Sequence, residues 1–283
     1  MIDSLAVELG RAASFLAARG VENARLDAEV LLADVLGFDR AELFAARRPS
    51  LDDHEHRAFD ALLGRRARRE PLQYVRGRQE FFSREFLVDC RVLVPRPETE
   101  TLVEVALRLA RPLDAASVLD LGCGSGVIAI TLALELPTAT VFASDVSPDA
   151  VEVARENARR LNVAGRIEFG CGDLFAMARG RRFDLVVSNP PYVRRADIER
   201  LAPEVRDYEP RVALDGGEDG LDFYRRLASA AGDVLGGDGM VATEIGHGQG
   251  RAVAEIFTDA GLRVVGSEGD LAGIERVLVV RRG

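Results

Sequence analysis

The chain has 283 residues, 47% of them apolar, which is enough for one large domain and a smaller one. It contains no lysine, which excludes a Walker phosphate site and a lysine Schiff base. Its three cysteines lie far apart with no C-x-x-C pair, so neither a disulfide framework nor a thiolate metal site is indicated. The net charge of −9 argues against duplex nucleic acid as the main ligand, and without a basic leader or an apolar run of membrane-spanning length we expect a cytoplasmic protein that needs no metal.

The first part of the chain, residues 1–72, has the apolar spacing of a small helical bundle. Gly20 and Gly37 follow two apolar runs, as glycines after helix ends do, and further helices are predicted over 40–46 and 52–69. The bundle on its own indicates no chemistry. We therefore interpret it as a substrate-docking domain, with the alternative that it only covers a face of the rest of the protein.

The middle of the chain changes to a β pattern. Residues 73–95 predict a linker built on a hairpin, with its turn at Ser83-Arg84-Glu85 and a final extended run at 92–94. A helix is predicted from Pro97 to about Arg111. Over 96–283 strands and helices alternate, which predicts a mainly parallel, doubly wound α/β domain.

A glycine-rich turn follows the apolar strand 118–121 and precedes an apolar helix. Its residues are Gly122, Cys123, Gly124, Ser125 and Gly126. This G-x-G-x-G spacing, with Asp120 ahead of it, differs from the pyrophosphate-binding G-x-G-x-x-G and is similar to the first motif of class I S-adenosylmethionine methyltransferases. Asp145 ends the next strand, at the position from which an acid can accept both hydroxyls of a ribose. A solvated loop acid is the alternative for Asp145. Ser147 and Pro148 then suit the N-cap and first position of a helix.

A second motif closes the buried strand predicted over 183–187. The strand must stop at Asn189, because Pro190 and Pro191 have no N–H for the ladder. Ligands bind at the carboxyl ends of strands in open α/β sheets. Rigid acceptors beside the ring of Tyr192 suit the binding of a planar NH2 group whose nitrogen must face an electrophile. An Asx-type turn stiffened by proline is the alternative.

Together these motifs make the chain resemble the protein-(glutamine-N5) methyltransferases that modify peptide chain release factors. The similarity extends over almost the whole length. Its most specific segment is Val94-Pro95-Arg96-Pro97-Glu98-Thr99-Glu100, next to the helical module. Further matching segments are Pro71–Tyr74, Glu209-Pro210 with Ala213-Leu214, Glu244–Gly246 and Asp270–Arg276.

The resemblance implies a class I methyltransferase fold, Rossmann-like, with a seven-stranded and mostly parallel sheet, an antiparallel strand at its edge, and the small N-terminal bundle. It implies S-adenosyl-L-methionine as the cofactor. The implied cofactor-binding residues are Gly122, Cys123, Gly124, Ser125, Gly126, Asp145, Asp173, Leu174 and Asn189. Asp173 and Leu174 would flank the adenine, and a helix cap is the alternative role for Asp173.

The implied reaction methylates the side-chain amide N5 of the glutamine in the Gly-Gly-Gln motif of class 1 release factors. That nitrogen is a poor nucleophile, so two acceptors, the Asn189 side-chain oxygen and the Pro190 carbonyl, would hold both N–H bonds, with Tyr192 against the amide plane. Pro191 completes the implied substrate site. Methylation of a ribosomal-protein glutamine, or of the N6 of adenine or N2 of guanine in a nucleic acid, stays open as the alternative. No metal, membrane or nucleic-acid substrate is expected.

Overall fold

The computed structural model describes residues 4–45 and 50–283. In chain order its helices are α1 (Ser4–Ala17), α2 (Ala24–Leu36), α3 (Arg40–Ala45), α4 (Asp53–Ala67), α5 (Leu72–Arg76), α6 (Thr99–Ala110), α7 (Val127–Glu135), α8 (Pro148–Arg160), α9 (Pro203–Arg206), α10 (Asp222–Val234) and α11 (Gly250–Asp259). Its strands are β1 (Arg78–Phe81), β2 (Arg84–Leu87), β3 (Ser117–Leu121), β4 (Thr140–Asp145), β5 (Ile167–Cys171), β6 (Phe183–Ser188), β7 (Leu235–Glu244), β8 (Leu262–Gly269) and β9 (Glu275–Arg282). The predicted helix end at Ala46 lies outside the described residues.

The described residues divide into two compact units. The first contains the chain up to Gly77 together with a later segment, Ala202–Tyr208. The second contains Arg78–Leu201 and Glu209–Gly283. The proposed division into 1–72, 73–95 and 96–283 stays a prediction. In the structure the hairpin of β1 and β2 belongs to the second unit.

The first unit is helical, and α1, α2 and α4 supply most of its core. Leu16, Leu31, Leu32, Phe59 and Leu63 are almost wholly buried there. Each such side chain stabilises the bundle by roughly 1.5–3 kcal/mol when it leaves water. No helix in the described parts of the chain combines the length and apolar composition needed to span a membrane.

Two polar features fix the first unit. Asp52 caps α4 in a reciprocal capping box with Glu55, which satisfies backbone donors at the start of the helix. Near the end of α4, Arg66 donates from Nε to Asp27 Oδ2 at 2.7 Å and from Nη1 to Glu204 Oε1 at 2.9 Å. The guanidinium therefore ties α2, α4 and the returning segment together.

The second unit is built on a sheet that has seven strands within the described residues, in the order β5-β4-β3-β6-β7-β9-β8. Strands β3 to β7 pair in parallel, and β9 runs antiparallel to both β7 and β8. The predicted fold class is confirmed. The antiparallel strand expected at the edge lies one position inside it, because β9 is inserted between β7 and β8.

Both faces of this sheet are covered. Successive residues of a strand point to opposite faces, so Val118 packs with α6, α7 and α8, whereas Leu119 packs with α10 and α11. Chain order runs from β3 outward through β4 to β5, and then from β6 outward through β7. The direction therefore reverses between β3 and β6, which places a ligand crevice at their carboxyl ends.

The hairpin differs from its prediction in two respects. Its turn is the residue pair Phe82 and Ser83, both with positive φ, so the predicted turn at Ser83-Arg84-Glu85 is wrong and Arg84 opens β2. Positive φ at both central residues gives the turn the twist that suits adjoining strands. The run 92–94 is not a strand, because the Val92 N–H turns back to Asp89 O.

Two predicted helices are present in the structure. The helix predicted from Pro97 is α6, which begins at Thr99, two residues later, and ends at Ala110, one residue before the predicted end. Ser147 caps α8, its hydroxyl accepting the N–H of Ala150 at 3.2 Å, and Pro148 occupies the first helical position. Since α8 starts three residues after Asp145, these local signals fix where the chain turns beyond β4.

Candidate active site

A cavity of about 590 Å³ opens at the carboxyl ends of β3, β4 and β6. Residues after each strand form its wall: the glycine turn follows β3, Asp145 ends β4, and Asn189 follows β6. Leu121 and Ser188 are directly paired in the sheet, so Gly122 and Asn189 leave neighbouring strands side by side. The volume and the mixture of apolar and polar walls suit a small organic ligand.

The glycine turn exposes backbone to this cavity. Gly122 and Cys123 both donate their N–H groups to Ser144 O, at 2.8 and 3.0 Å, which anchors the turn on β4. Gly124 has φ +53, and a Cβ built there would meet no atom within 4 Å. Because Gly124 lines the cavity, a side chain at that position would occupy the space available to a ligand.

Gly126 has a different position from the other turn residues. It is not part of the cavity wall formed by the described residues, whereas Gly122, Cys123, Gly124 and Ser125 are. Gly126 has φ +84 at the N-cap of α7, and a Cβ there would lie 2.9 Å from Ile130 Cδ1 and 3.0 Å from Ala154 Cβ. The absence of a side chain at Gly126 therefore allows α7 to pack closely against α8.

Asp145 is held by backbone donors on both carboxylate oxygens. Oδ2 accepts the N–H of Gly124 at 2.9 Å, and Oδ1 accepts the N–H of Ser147 at 2.9 Å. Burial raises the pKa of Asp145, and the two backbone bonds oppose that shift. Each oxygen keeps a further lone pair, so the carboxylate can accept two hydroxyl groups.

Asp120 lies beneath the turn and is fully buried. Its Oδ2 accepts the N–H of Ala129 at 3.0 Å, and its Oδ1 has no hydrogen-bond partner among the described residues. Burial raises the pKa of Asp120 to about 7. The neighbouring Cys123 thiol, also buried, has its pKa raised well above the ordinary value and stays protonated.

Asp173 and Leu174 form another part of the wall. The Asp173 carboxylate is exposed and accepts a hydrogen bond from Arg226 Nη2 at 2.5 Å. It precedes a short 3₁₀ turn but makes no side-chain cap bond in the described structure. Leu174 has φ +45, an uncommon value for a branched residue, and it begins that turn. This part of the cavity wall thus places the apolar side chain of Leu174 next to the carboxylate of Asp173.

Asn189 is the polar end of β6 on the cavity wall. Its Nδ2 donates to Thr99 Oγ1 at 3.0 Å, and Thr99 Oγ1 donates to Glu244 Oε2 at 2.8 Å. Because the amide NH2 is engaged, Oδ1 is the acceptor that Asn189 can offer a ligand. Thr99 begins α6 and Glu244 ends β7, so three elements meet at this amide.

The rest of the proline motif supports the loop. Pro191 lines the cavity, whereas Pro190 is buried and Tyr192 packs into the core; neither belongs to the wall formed by the described residues. The Tyr192 hydroxyl donates to Glu244 Oε1 at 3.4 Å, and burial raises its pKa to about 12. Gln249 Nε2 donates to Tyr192 O at 3.1 Å, which fixes the backbone beyond the prolines.

Thr99 and Glu244 were not among the predicted site residues. Both stand in segments that the resemblance singled out, but their contact joins positions 145 residues apart. One local signal existed for Glu244, which is an acid at the carboxyl end of an apolar strand. Within residues 4–45 and 50–283, no cluster of three or more His, Cys, Asp or Glu side chains is arranged to hold a metal ion.

Comparison with known proteins connects this site to a family. A family model described as the PrmC N-terminal domain matches residues 9–77, and one described as the methyltransferase small domain matches 99–205. The release factor glutamine methyltransferase of Geobacter sulfurreducens is 48% identical over 269 residues, which cover 95% of this chain and 93% of that protein. The chain belongs to the release factor glutamine methyltransferase family. The Moorella thermoacetica member is 45% identical over 253 residues, 89% of each chain.

Solved structures agree on the fold of this family member. A methyltransferase from Pyrococcus furiosus superposes with a TM-score of 0.55 at 20% identity, covering 72% of this chain and 91% of that one. The ribosomal protein L11 methylase of Lactobacillus delbrueckii gives a TM-score of 0.50 at 21% identity, covering 66% of this chain and 81% of its own. At these identities the likeness establishes the methyltransferase fold.

Proposed function

We propose that this chain transfers a methyl group from S-adenosylmethionine to the side-chain amide nitrogen of the glutamine in the Gly-Gly-Gln motif of class 1 release factors. The single observation that carries the proposal is the fixed amide of Asn189. Its Nδ2 is bound by Thr99, so its Oδ1 is an acceptor on the wall of a cofactor-sized cavity. An oxygen in that position can accept a hydrogen bond from an N–H of the substrate glutamine amide.

The cofactor site uses the glycine turn and the acid after β4. Gly122, Cys123, Gly124 and Ser125 form the floor on which the donor lies, and Asp145 accepts the two ribose hydroxyls through its remaining lone pairs. Asp173 and Leu174 lie beside the adenine. Gly126 contributes by setting the start of α7 rather than by direct contact. The space beside Gly124, where an added Cβ would meet no protein atom within 4 Å, is available to the cofactor.

The reaction depends on orientation. Resonance with the carbonyl occupies the lone pair of a glutamine amide nitrogen, so the protein must hold the N–H bonds and turn that lone pair toward the electrophile. Asn189 Oδ1 and the Pro190 carbonyl hold the two hydrogens, Pro191 borders the same space, and Tyr192 supports the loop. S-adenosylmethionine, when bound, supplies a methyl group on a good leaving group. Once methylated, the nitrogen carries a positive charge and is strongly acidic, so it gives its proton to solvent water.

Selection of one glutamine among many requires more contact than the amide itself provides, because a few atoms bring little binding energy. The helical unit at the start of the chain docks the body of the release factor. The partner is a protein and the chain works in the cytoplasm. Methyl transfer from a sulfonium needs no metal, and a net charge of −9 disfavours a nucleic-acid substrate.

The direct test incubates the purified chain with methyl-labelled S-adenosylmethionine and, separately, a release factor, ribosomal proteins, and DNA or RNA. We expect label in the release factor, and none in a release factor whose motif glutamine is replaced by alanine. Label in ribosomal protein or nucleic acid, with none in release factor, would overturn the proposal.

A further inference from the structure

Asn189 and Tyr192, both in the proline motif, are joined to the same buried carboxylate. Glu244 Oε2 accepts from Thr99, which in turn accepts from Asn189, and Glu244 Oε1 accepts from Tyr192. Glu244 and Thr99 are 1% and 2% exposed. One oxygen of Glu244 thus bonds α6 and the other bonds the proline-motif loop. A buried carboxylate is costly unless such hydrogen bonds satisfy it, so this arrangement of Thr99 and Tyr192 is strongly favoured.

We propose that Thr99 and Glu244 are positioning residues for methyl transfer, because together they set which end of the Asn189 amide faces the substrate. This rests on the proposed function, in which Asn189 Oδ1 accepts a substrate N–H. The oxygen and nitrogen ends of an asparagine amide are almost the same in shape. Packing alone therefore does not choose between them.

The hydrogen of the Thr99 hydroxyl decides which end of the Asn189 amide faces Thr99. The Thr99 hydroxyl has a single hydrogen, and the carboxylate of Glu244 takes it. Thr99 Oγ1 then has lone pairs alone to offer Asn189, which must present its NH2 group. A rotated amide would set two oxygens against each other at about 3 Å and would present N–H groups to the N–H groups of the substrate. The correct orientation is thereby the stable one.

Glu244 holds the Thr99 hydrogen only while its carboxylate is an acceptor. Burial raises its pKa to about 7, and the hydrogen bonds from Thr99 and Tyr192 together with the charge of Arg276 on β9 oppose this shift. Glu98, just before α6, adds to the rise. From α10, the Tyr224 hydroxyl donates to the backbone oxygen of Glu244. As the pH falls through about 7, a proton on Glu244 releases the Thr99 hydrogen toward Asn189.

The first experiment compares Thr99→Val and Thr99→Ser in the full chain. Valine keeps the shape and removes the hydroxyl, so kcat for release factor should fall by roughly tenfold to a hundredfold, with little change in KM for S-adenosylmethionine. Serine keeps the hydroxyl and should restore kcat. Thr131→Val is the matched control, since Thr131 is equally buried and its hydroxyl has no partner among the described residues.

The pH profile separates positioning from mere support of the fold. In the parent chain and in Thr99→Ser, kcat should decline as the pH falls below about 7. The contribution of Glu244 to that decline should be absent in Thr99→Val, where the hydroxyl is missing, and in Glu244→Gln, where position 244 no longer titrates; Asp120, whose pKa is also raised to about 7, is unchanged in all of these variants. A decline that persists unchanged in Glu244→Gln, or a normal kcat in Thr99→Val, overturns the proposal.

A spectroscopic readout needs no substrate. The Asn189 side-chain NH2 resonance, identified by its loss in Asn189→Asp, should show slow hydrogen exchange in the parent chain and in Thr99→Ser, and fast exchange in Thr99→Val. Equal exchange in all three contradicts the inferred orientation. A parent chain that shows the slow exchange but does not methylate release factor would instead contradict the proposed function.

Discussion

The carboxylate of Asp145 accepts the backbone N–H of Gly124 at 2.9 Å, across 21 residues of chain. The two halves of the predicted cofactor site thus hold each other in place before any ligand binds. The second oxygen accepts from Ser147 at the start of α8, so the same side chain also fixes the turn after β4. Asp145, the proposed acceptor for the ribose, therefore also supports the turn and the start of α8.

Asp145→Ala should lower the affinity for S-adenosylmethionine by at least about tenfold, because it removes charge-assisted hydrogen bonds worth roughly 1.5–3 kcal/mol each. Isothermal titration calorimetry measures the change. Asp149→Ala, an exposed acid on α8, is the matched control and should bind like the parent chain. Unchanged affinity in Asp145→Ala would refute the assignment.

Asn189→Ala should reduce kcat far more than it weakens cofactor binding, because the lost oxygen aligns the acceptor amide. Asn189→Asp keeps an acceptor but places an oxygen where Nδ2 donates to Thr99, so its turnover should lie between alanine and asparagine. Steady-state methylation of release factor, beside calorimetry with S-adenosylmethionine, resolves the two effects. Parental turnover in Asn189→Ala would show that the mechanism is wrong.

Glu244 makes stability depend on pH. Its pKa is raised from 4.5 to about 7, so the folded state binds this proton more tightly than the unfolded state. The stabilisation is fully present below pH 4.5 and is lost as the pH rises through about 7. Glu244→Gln should therefore gain stability relative to the parent between pH 5 and pH 8, by roughly 3 kcal/mol at most.

Urea unfolding at both pH values measures that difference. Glu104→Gln, on the exposed side of α6, controls for the substitution itself. A Glu244→Gln effect of the same size at pH 5 and pH 8 would mean that the carboxylate does not titrate in this range.

Arg66→Ala should destabilise the first unit by about 3–5 kcal/mol, because it leaves the buried Asp27 without its cation. Glu204 also loses a donor, although Arg69 continues to bind both of its oxygens. Denaturant unfolding of the full chain provides the measurement. Arg57→Ala, an exposed arginine on the same helix, should change stability by no more than about 0.5 kcal/mol.

If the helical unit docks the release factor as proposed, a variant that begins at Arg78 should bind S-adenosylmethionine but should methylate intact release factor with a raised KM. The deletion also leaves Glu204 without Arg66 and Arg69. Full-length Glu204→Gln therefore serves as the control, and it should keep most of its activity. A folded deletion variant with the parental kcat/KM would refute the docking role.

Much of the fold follows from local patterns, which is why the end of β6 just before Pro190 and the capping of α8 by Ser147 were predictable. Prolines and caps act within a few residues, so their effect can be found in a short window. The Thr99–Glu244 contact could not be found in that way, because it exists only once α6 and β7 are packed together. The hairpin turn was misplaced because Phe82 adopts a positive φ that its side chain disfavours.

The position of β9 in the sheet determines when the edge of β7 can be covered during synthesis of the chain. Among the described strands β8 pairs with β9, and β9 also covers the edge of β7. A growing chain that has reached residue 274 therefore carries β7 as an open edge, ready to pair with other strands. Until β9 is synthesised, the nascent protein therefore carries an unpaired strand edge of the kind that promotes aggregation.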